Sequence, residues 1–324
     1  MPASRAVGTF GNAGTRNVKL PHQCRGASCG ECKSRVIRGE VNHGWALGFA
    51  ITDEEKELGF CLTCQAKPVS DQIELVTVKP MPSATQGPTR LQVEVVALTR
   101  LTPRVSRLVL SPAAGTFLNY EAGDYAGLIL PGIEPHRNYS FAGPPRGDRL
   151  LEFFVALHPS GTASRYVTQE LQVGDFIEVC GPYGSCRLPE GGGPVLGLAG
   201  GTGLAPVLAI FEQSLSTGSK EAHHLLFSVR EDKELFALDR LRGLMNRYDN
   251  FRFDVLVTDE PSRFSATEEY APQWLERKYQ SLAHSRAVIG GSPGFVEACA
   301  VACSGLGMPA ARMATDAFAP AMQV

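Results

Sequence analysis

Net charge is almost absent from this chain: 31 Lys and Arg stand against 33 Asp and Glu. Without a basic stripe, a nucleic-acid surface of the usual electrostatic kind is excluded. The N-terminus lacks the apolar core of a secretory signal. It also lacks any acidic residue before Glu31 while carrying Arg5, Arg16 and Lys19, a trace of transit-peptide character against the simpler expectation of a disordered start. Residues 191–211 contain no charge, and long uncharged apolar runs can cross a bilayer. Gly200-Gly-Thr-Gly and Pro206 interrupt this one, which argues for a buried strand, turn and helix and against a membrane segment. There is no internal repeat, and His43, His158, His223 and His224 show no metal-ligand spacing. Nine cysteines are an odd number for a disulfide framework. With no secretion signal the expectation is a cytoplasmic protein, where free thiols and metal clusters persist.

What is present begins with four of those cysteines. Cys24, Cys29 and Cys32 are spaced C-x4-C-x2-C, and Cys64 follows at a distance. This is the plant-type [2Fe–2S] spacing. Two sulfide-bridged irons need four thiolates, and a short loop presents three of them only by curling round the cluster. Gly26, Ala27, Ser28 and Gly30 leave that loop little bulk, and glycine allows tight backbone. A zinc site built from Cys29/Cys32 and Cys61/Cys64 is the competing reading, since zinc ligands come as paired C-x2-C knuckles; it leaves Cys24 idle. Arg25, Lys33, Arg35 and Arg38 near the loop are either steering charges for an acidic partner or plain solvated ones. Cys180, Cys186, Cys299 and Cys303 read as buried thiols that pack as small apolar residues.

A chain of 324 residues exceeds one ordinary core, so two or three domains are expected. Gly 34 and Pro 22 suit a loop-rich, strand-rich protein. Around the cysteines, strands are predicted at 34–41 and 73–78, with a helix capped by Thr52 and acidic in its first turn. Residues 79–88 hold three prolines and no periodicity, and read as a linker. Beyond it, short strands at 91–98, 105–110, 125–130, 137–142, 150–157 and 176–179 suggest an antiparallel barrel, with a helix over 161–171. From residue 194 strand and helix alternate. Strands fall at 195–199, 223–229, 251–257 and 286–289, and helices at 204–215, 235–248, 271–282 and 295–306. That alternation implies a parallel sheet covered on both faces.

Three further motifs carry chemistry. Arg137-Asn138-Tyr139-Ser140 lies on a predicted barrel strand ahead of the helix start at Gly161, Thr162 and Ser164. Gly200-Gly201-Thr202-Gly203 follows the first strand of the α/β half, where a glycine-rich turn lets backbone approach a pyrophosphate. Ser228-Val-Arg-Glu-Asp follows the second strand; its Glu231 and Asp232 would repel a 2′-phosphate and favour NADH, while Arg230 argues mildly the other way.

The cysteine loop, with Leu62-Thr-Cys-Gln-Ala, resembles the ferredoxin domain of oxygenase reductases, which points to Cys64 and not Cys61 as fourth ligand. Arg137-Asn-Tyr-Ser and the glycine turn resemble the ferredoxin–NADP reductase superfamily. Over nearly its whole length the chain resembles the NADH-dependent reductase component of bacterial aromatic-ring dioxygenases. The resemblance implies a multidomain α+β and α/β protein: a β-grasp-type ferredoxin domain (1–80), an antiparallel β-barrel FAD domain (89–190) and a doubly wound parallel α/β NAD domain (191–324). It implies Arg137 on the FAD pyrophosphate, a task for a planar fork of donors, with Tyr139 along the flavin and Ser140 near its reactive nitrogen. Asn138, His158, Gly161, Thr162 and Ser164 complete that site, the last three at a helix start that suits an anion. Gly200 to Gly203, Arg230, Asp232 and Pro293 are assigned to the nucleotide, and Phe318, in Asp316-Ala-Phe, to the flavin ring. Gly290 stands where the family has cysteine; the gap is expected to leave a looser nicotinamide that Gly290→Cys would tighten. Electrons would pass from NADH through FAD and the cluster to a Rieske-type ferredoxin or the terminal oxygenase. Reductases of diiron monooxygenases and of biosynthetic sugar deoxygenation use the same carriers, and a zinc-stapled binding module is the non-enzymatic alternative.

Overall fold

The computed structural model describes residues 5–8, 20, 30, 32–44, 46, 48, 50–78, 88–134, 136–264 and 269–318. The chain divides into two compact units, Met1–Gly87 and Pro88–Val324. The expected linker, 79–88, lies outside the described residues except for Pro88.

In the first unit β1 (Arg5–Gly8), β2 (Lys33–Arg38), β4 (Phe60–Leu62) and β6 (Ile73–Thr77) form a sheet in the order β1-β6-β2-β4. The two-residue strands β3 (Val41–Asn42) and β5 (Lys67–Pro68) pair with each other. A strand running on to residue 41 is not what forms. Gly39 adopts φ 90°, and a Cβ there would lie 2.4 Å from the Gln72 carbonyl oxygen, so the chain turns and resumes as β3. The lead before the cysteines contributes β1, antiparallel to β6 with Gly8 opposite Ile73. Helix α1 (Asp53–Glu57) starts in a full capping box: Thr52 accepts from the Glu55 amide and the Glu55 carboxylate accepts from the Thr52 amide. Cys61, Ile73 and Leu75 form the small core, with Leu20, Val36, Val41 and Ala66 against it.

In the second unit β7 (Thr89–Thr102), β8 (Val105–Pro112), β9 (Tyr125–Ile129), β10 (Arg137–Ser140), β11 (Leu151–Ala156) and β12 (Phe176–Tyr183) build an antiparallel sheet in the order β10-β9-β12-β7-β8-β11. A bridge between Phe141 and Phe153 nearly closes it into a barrel. Val93, Val95, Leu108, Leu110, Leu128, Phe153, Val155 and Val179 fill the interior, and α2 (Thr162–Gln169) inserts Ala163 and Val167.

Next come β13 (Val195–Gly200), α3 (Leu204–Ser216), β14 (His223–Val229), α4 (Leu238–Arg247), β15 (Phe251–Val257), α5 (Ala271–Lys278), β16 (Arg286–Gly291), α6 (Pro293–Gly305) and β17 (Met313–Ala317). The five strands are parallel in the order β15-β14-β13-β16-β17. The order reverses between β13 and β16, and in open α/β sheets the ligand crevice lies at such a switch point, beyond the carboxyl ends of the strands. The uncharged run 191–211 is therefore β13, a turn and buried α3. No helix among the described residues is long and apolar enough to cross a membrane. The helix expected from residue 235 begins only at Leu238, because Ala237 is left-handed at φ 57°. Strand β17 carries no pattern in the sequence; four of its five residues are half-buried, which leaves no alternation to read.

Gly39→Ala should destabilise the first unit by more than about 1 kcal/mol, since it forces a side chain both into positive φ and onto backbone. Calorimetry on the full chain checks this; an unchanged melting profile would contradict the turn.

Candidate cofactor sites

Cys32 and Cys64 are brought together: their sulfurs lie 3.3 Å apart. No disulfide joins them, since the separation exceeds the ~2.05 Å of an S–S bond. The Cys32 carbonyl is held three times, by the Thr63 amide at 3.3 Å, the Thr63 hydroxyl at 3.2 Å and the Ser34 hydroxyl at 3.3 Å. The residue before Cys64 thus clamps Cys32, and the two thiols share one side of the fold. Cys61 goes the other way. It is 1% exposed and packs in the apolar core; burial, then the neighbouring Cys32, pushes its thiol up to about 11. Cys24, Cys29 and Arg25 lie outside the described residues. Of the proposed steering charges, Lys33 is tied to Glu55 at 2.6 Å, while Arg35 is exposed with its guanidinium 5.8 Å from the Phe60 ring.

On β10, Arg137 and Tyr139 share one face and Asn138 and Ser140 the other, as strand alternation requires. Tyr139 packs against the barrel core, and burial pushes its phenol up to about 12. Asn138 is exposed. Ser140 is 6% exposed and donates from Oγ to the Asp316 carboxylate at 2.7 Å. Helix α2 begins at Gly161 with no side chain capping it, so first-turn amides remain for an anion such as phosphate. Ser164 is engaged within the turn: its Oγ accepts the His158 amide at 2.8 Å. His158 itself is exposed, and its described contribution is backbone, including acceptance of the Gly161 amide at 3.0 Å.

At the switch point, Gly201 turns at φ 54° with open space where a side chain would be. Gly200 lies under Phe295; a Cβ at Gly200 would stand only 3.0 Å from the ring. Gly203, which starts α3, also lacks a side-chain cap. Thr202 is half-buried between Gly201 and Gly203. Pro293 is the first residue of α6, capped by Ser292, whose Oγ accepts the Phe295 amide at 3.4 Å. Phe318 is half-buried and donates its amide to the Gly291 carbonyl at 2.8 Å. Beyond β14, Arg230 is exposed, Glu231 is paired with Lys233, and Asp232 accepts from the Ser262 hydroxyl and, through its amide, donates to Glu260.

The expectation for Gly290 is corrected by this geometry. No gap lies beside it: a Cβ on Gly290 would stand 2.6 Å from the Gly203 carbonyl oxygen, and one on Gly203 would stand 2.2 Å from the Gly290 carbonyl. Glycine is needed because two backbones touch, not because the position uses a glycine-only φ.

Three family descriptions match the chain in succession: a 2Fe-2S iron-sulfur cluster binding domain over 10–69, an oxidoreductase FAD-binding domain over 92–188 and an oxidoreductase NAD-binding domain over 198–300. The reductase subunit of an aromatic O-demethylase from Amycolatopsis is 34% identical over 251 residues, which is 75% of this chain and 74% of that one. The toluate 1,2-dioxygenase electron transfer component of Pseudomonas putida is 30% identical, covering 94% of this chain and 90% of the relative. The chain belongs to the family of oxygenase reductase components. A crystal structure of an Amycolatopsis cytochrome P450 reductase superposes on this reductase with a TM-score of 0.78 at 30% identity, covering 93% of this chain and 91% of that one. The residues present fit the reductase's three cofactors: adjacent thiols, an uncapped helix start in the barrel that carries the Arg/Tyr strand, and a bare glycine turn at the switch point. Sequence reasoning missed Asp316 as a site residue, although Asp316-Ala-Phe is a recognisable motif, because its partner Ser140 is 176 positions away.

Gly290→Cys should lower stability by about 1–3 kcal/mol through overpacking, and slow flavin reduction by NADH. A Cys variant with unchanged melting and faster reduction would restore the gap.

Proposed function

We propose that this chain is an NADH-dependent reductase that feeds single electrons to an oxygenase component acting on aromatic compounds, directly or through a Rieske-type ferredoxin. The observation that carries it is the Ser140–Asp316 contact, which sets β10 of the barrel against the end of β17 near the switch point of the parallel sheet. FAD, when bound, takes the two electrons of a hydride and releases them one at a time to a cluster that holds one. The chain's own residues do the placing. Arg137 and the α2 start hold the pyrophosphate, and Tyr139 supports the ring. Ser140 keeps its proton aimed at Asp316. Gly200, Gly201, Thr202 and Gly203 admit the nucleotide phosphates. Asp232 and Glu231 bias the ribose pocket against a 2′-phosphate. Cys24, Cys29, Cys32 and Cys64 hold the irons.

The similarity to a cytochrome P450 reductase favours one second reading, a haem oxygenase as the acceptor. Purified Rieske ferredoxin, Rieske oxygenase and cytochrome P450, each added to the reductase and NADH, separate the two. The true acceptor speeds NADH consumption in step with product.

Two measurements check the residue assignments. Cys64→Ser should lose most iron and acceptor reduction while dye reduction at the flavin survives, and Cys61→Ser should be mild; the reverse pattern would exchange the two roles. Steady-state kcat/KM should favour NADH over NADPH, and equal use of both would shift the weight from Asp232 to Arg230.

A further inference from the structure

The barrel and the parallel sheet of the second unit meet along an apolar seam, in which Val105, Ala142 and Phe154 of the barrel share a core with α3 and Phe236. A buried ionic group crosses it, beside the more exposed Arg104–Glu234 pair at 3.3 Å. Glu152 lies on β11 with its side chain 7% exposed. Its carboxylate receives Arg107 of β8 on one oxygen and Arg240 of α4 on the other, the latter at 3.2 Å. Arg240 also grips Glu212 of α3 with two contacts of 2.6 Å. Two charges of each sign close the group, so no buried charge is left uncompensated.

Both ends of this bridge connect to the elements that carry the candidate cofactor residues. On the barrel side the Glu152 carbonyl accepts the Ala142 amide at 2.8 Å, two residues past Ser140. Gly143 leaves room for the arginine, since a Cβ there would sit 3.1 Å from Arg240 Nη2. Tyr120 donates to the Gly143 carbonyl at 3.2 Å and stacks on Phe141 at 3.9 Å. On the other side Glu212 belongs to α3, the helix that starts at the Gly200–Gly203 turn. An apolar seam fixes area but tolerates sliding, whereas a bidentate guanidinium fixes distance and direction.

We propose that Arg240, held between Glu152 and Glu212, is a positioning residue that sets how closely the nicotinamide approaches the flavin. It acts through β11 and α3 and touches neither cofactor. Hydride transfer is steeply sensitive to such placement. The inference rests on the hydride step of the proposed function. Flavin bleaching by NADH in the unaltered protein tests that step by itself, so the two readings fail separately.

The experiment is anaerobic stopped-flow reduction of the FAD-loaded full chain by NADH, for Arg240→Met and Arg240→Lys. The limiting rate of flavin reduction in Arg240→Met should fall about ten- to a hundredfold, with the NADH Kd within about twofold, the split expected when alignment and not binding is lost. Arg240→Lys, which keeps the charge and loses the fork, should fall between. A limiting rate within about twofold of the unaltered protein, with or without a lower Tm, would reduce the bridge to a structural role and overturn the proposal. So would a raised Kd at unchanged rate. If Arg240→Met loses FAD, Glu212→Gln, which leaves Arg240 on Glu152, decides by the same two numbers.

Discussion

A single hydrogen bond, 2.7 Å from the Ser140 hydroxyl to the Asp316 carboxylate, expresses the constraint on which the larger unit depends. Two sheets of different design must end at one place. The antiparallel barrel offers β10 at its edge, and the parallel sheet offers the carboxyl ends of β13, β16 and β17 at its switch point. Hydride moves only between closely placed, aligned atoms. Packing at this place is close: Gly203 lies against Gly290, Gly200 under Phe295, and Phe318 is tied to Gly291. These glycines look permissive in sequence and are crowded in space.

The first unit solves a different problem with similar means. A cluster needs thiolates from distant segments, and unsupported loops cannot hold them. Thr63 and Ser34 both bond the Cys32 carbonyl, so the third cysteine is braced by the segment that carries Cys64. Cys61, three residues earlier, faces the core with a thiol pushed up to about 11. Strand geometry makes this division: β4 sends Cys61 inward, and the chain leaves the sheet before Cys64.

Much of this is legible in the residues. Period-two strands, the capping box at Thr52 and the glycine turn before α3 are local signals, and local signals survive in a linear reading. What stays hidden is long-range or unpatterned. The half-buried β17 shows no alternation, and the start of α4 depends on Ala237 adopting φ 57°, which no propensity favours. The need for glycine at 290 comes from a carbonyl in another loop. Glu152 and Arg240, 88 positions apart, look in sequence like any solvated charges. Ser140 and Asp316 each sit in a recognisable motif, but only the fold joins them.

Electrons from nicotinamide cross this chain one carrier at a time. The direct measurement is metal and flavin analysis of the purified full chain, followed by anaerobic addition of NADH with absorption and electron paramagnetic resonance spectra. The expected result is about two irons per flavin, loss of flavin absorbance, and a paramagnetic signal from a reduced [2Fe–2S] cluster. Zinc in place of iron, or a bleached flavin with the cluster left oxidised, would contradict it.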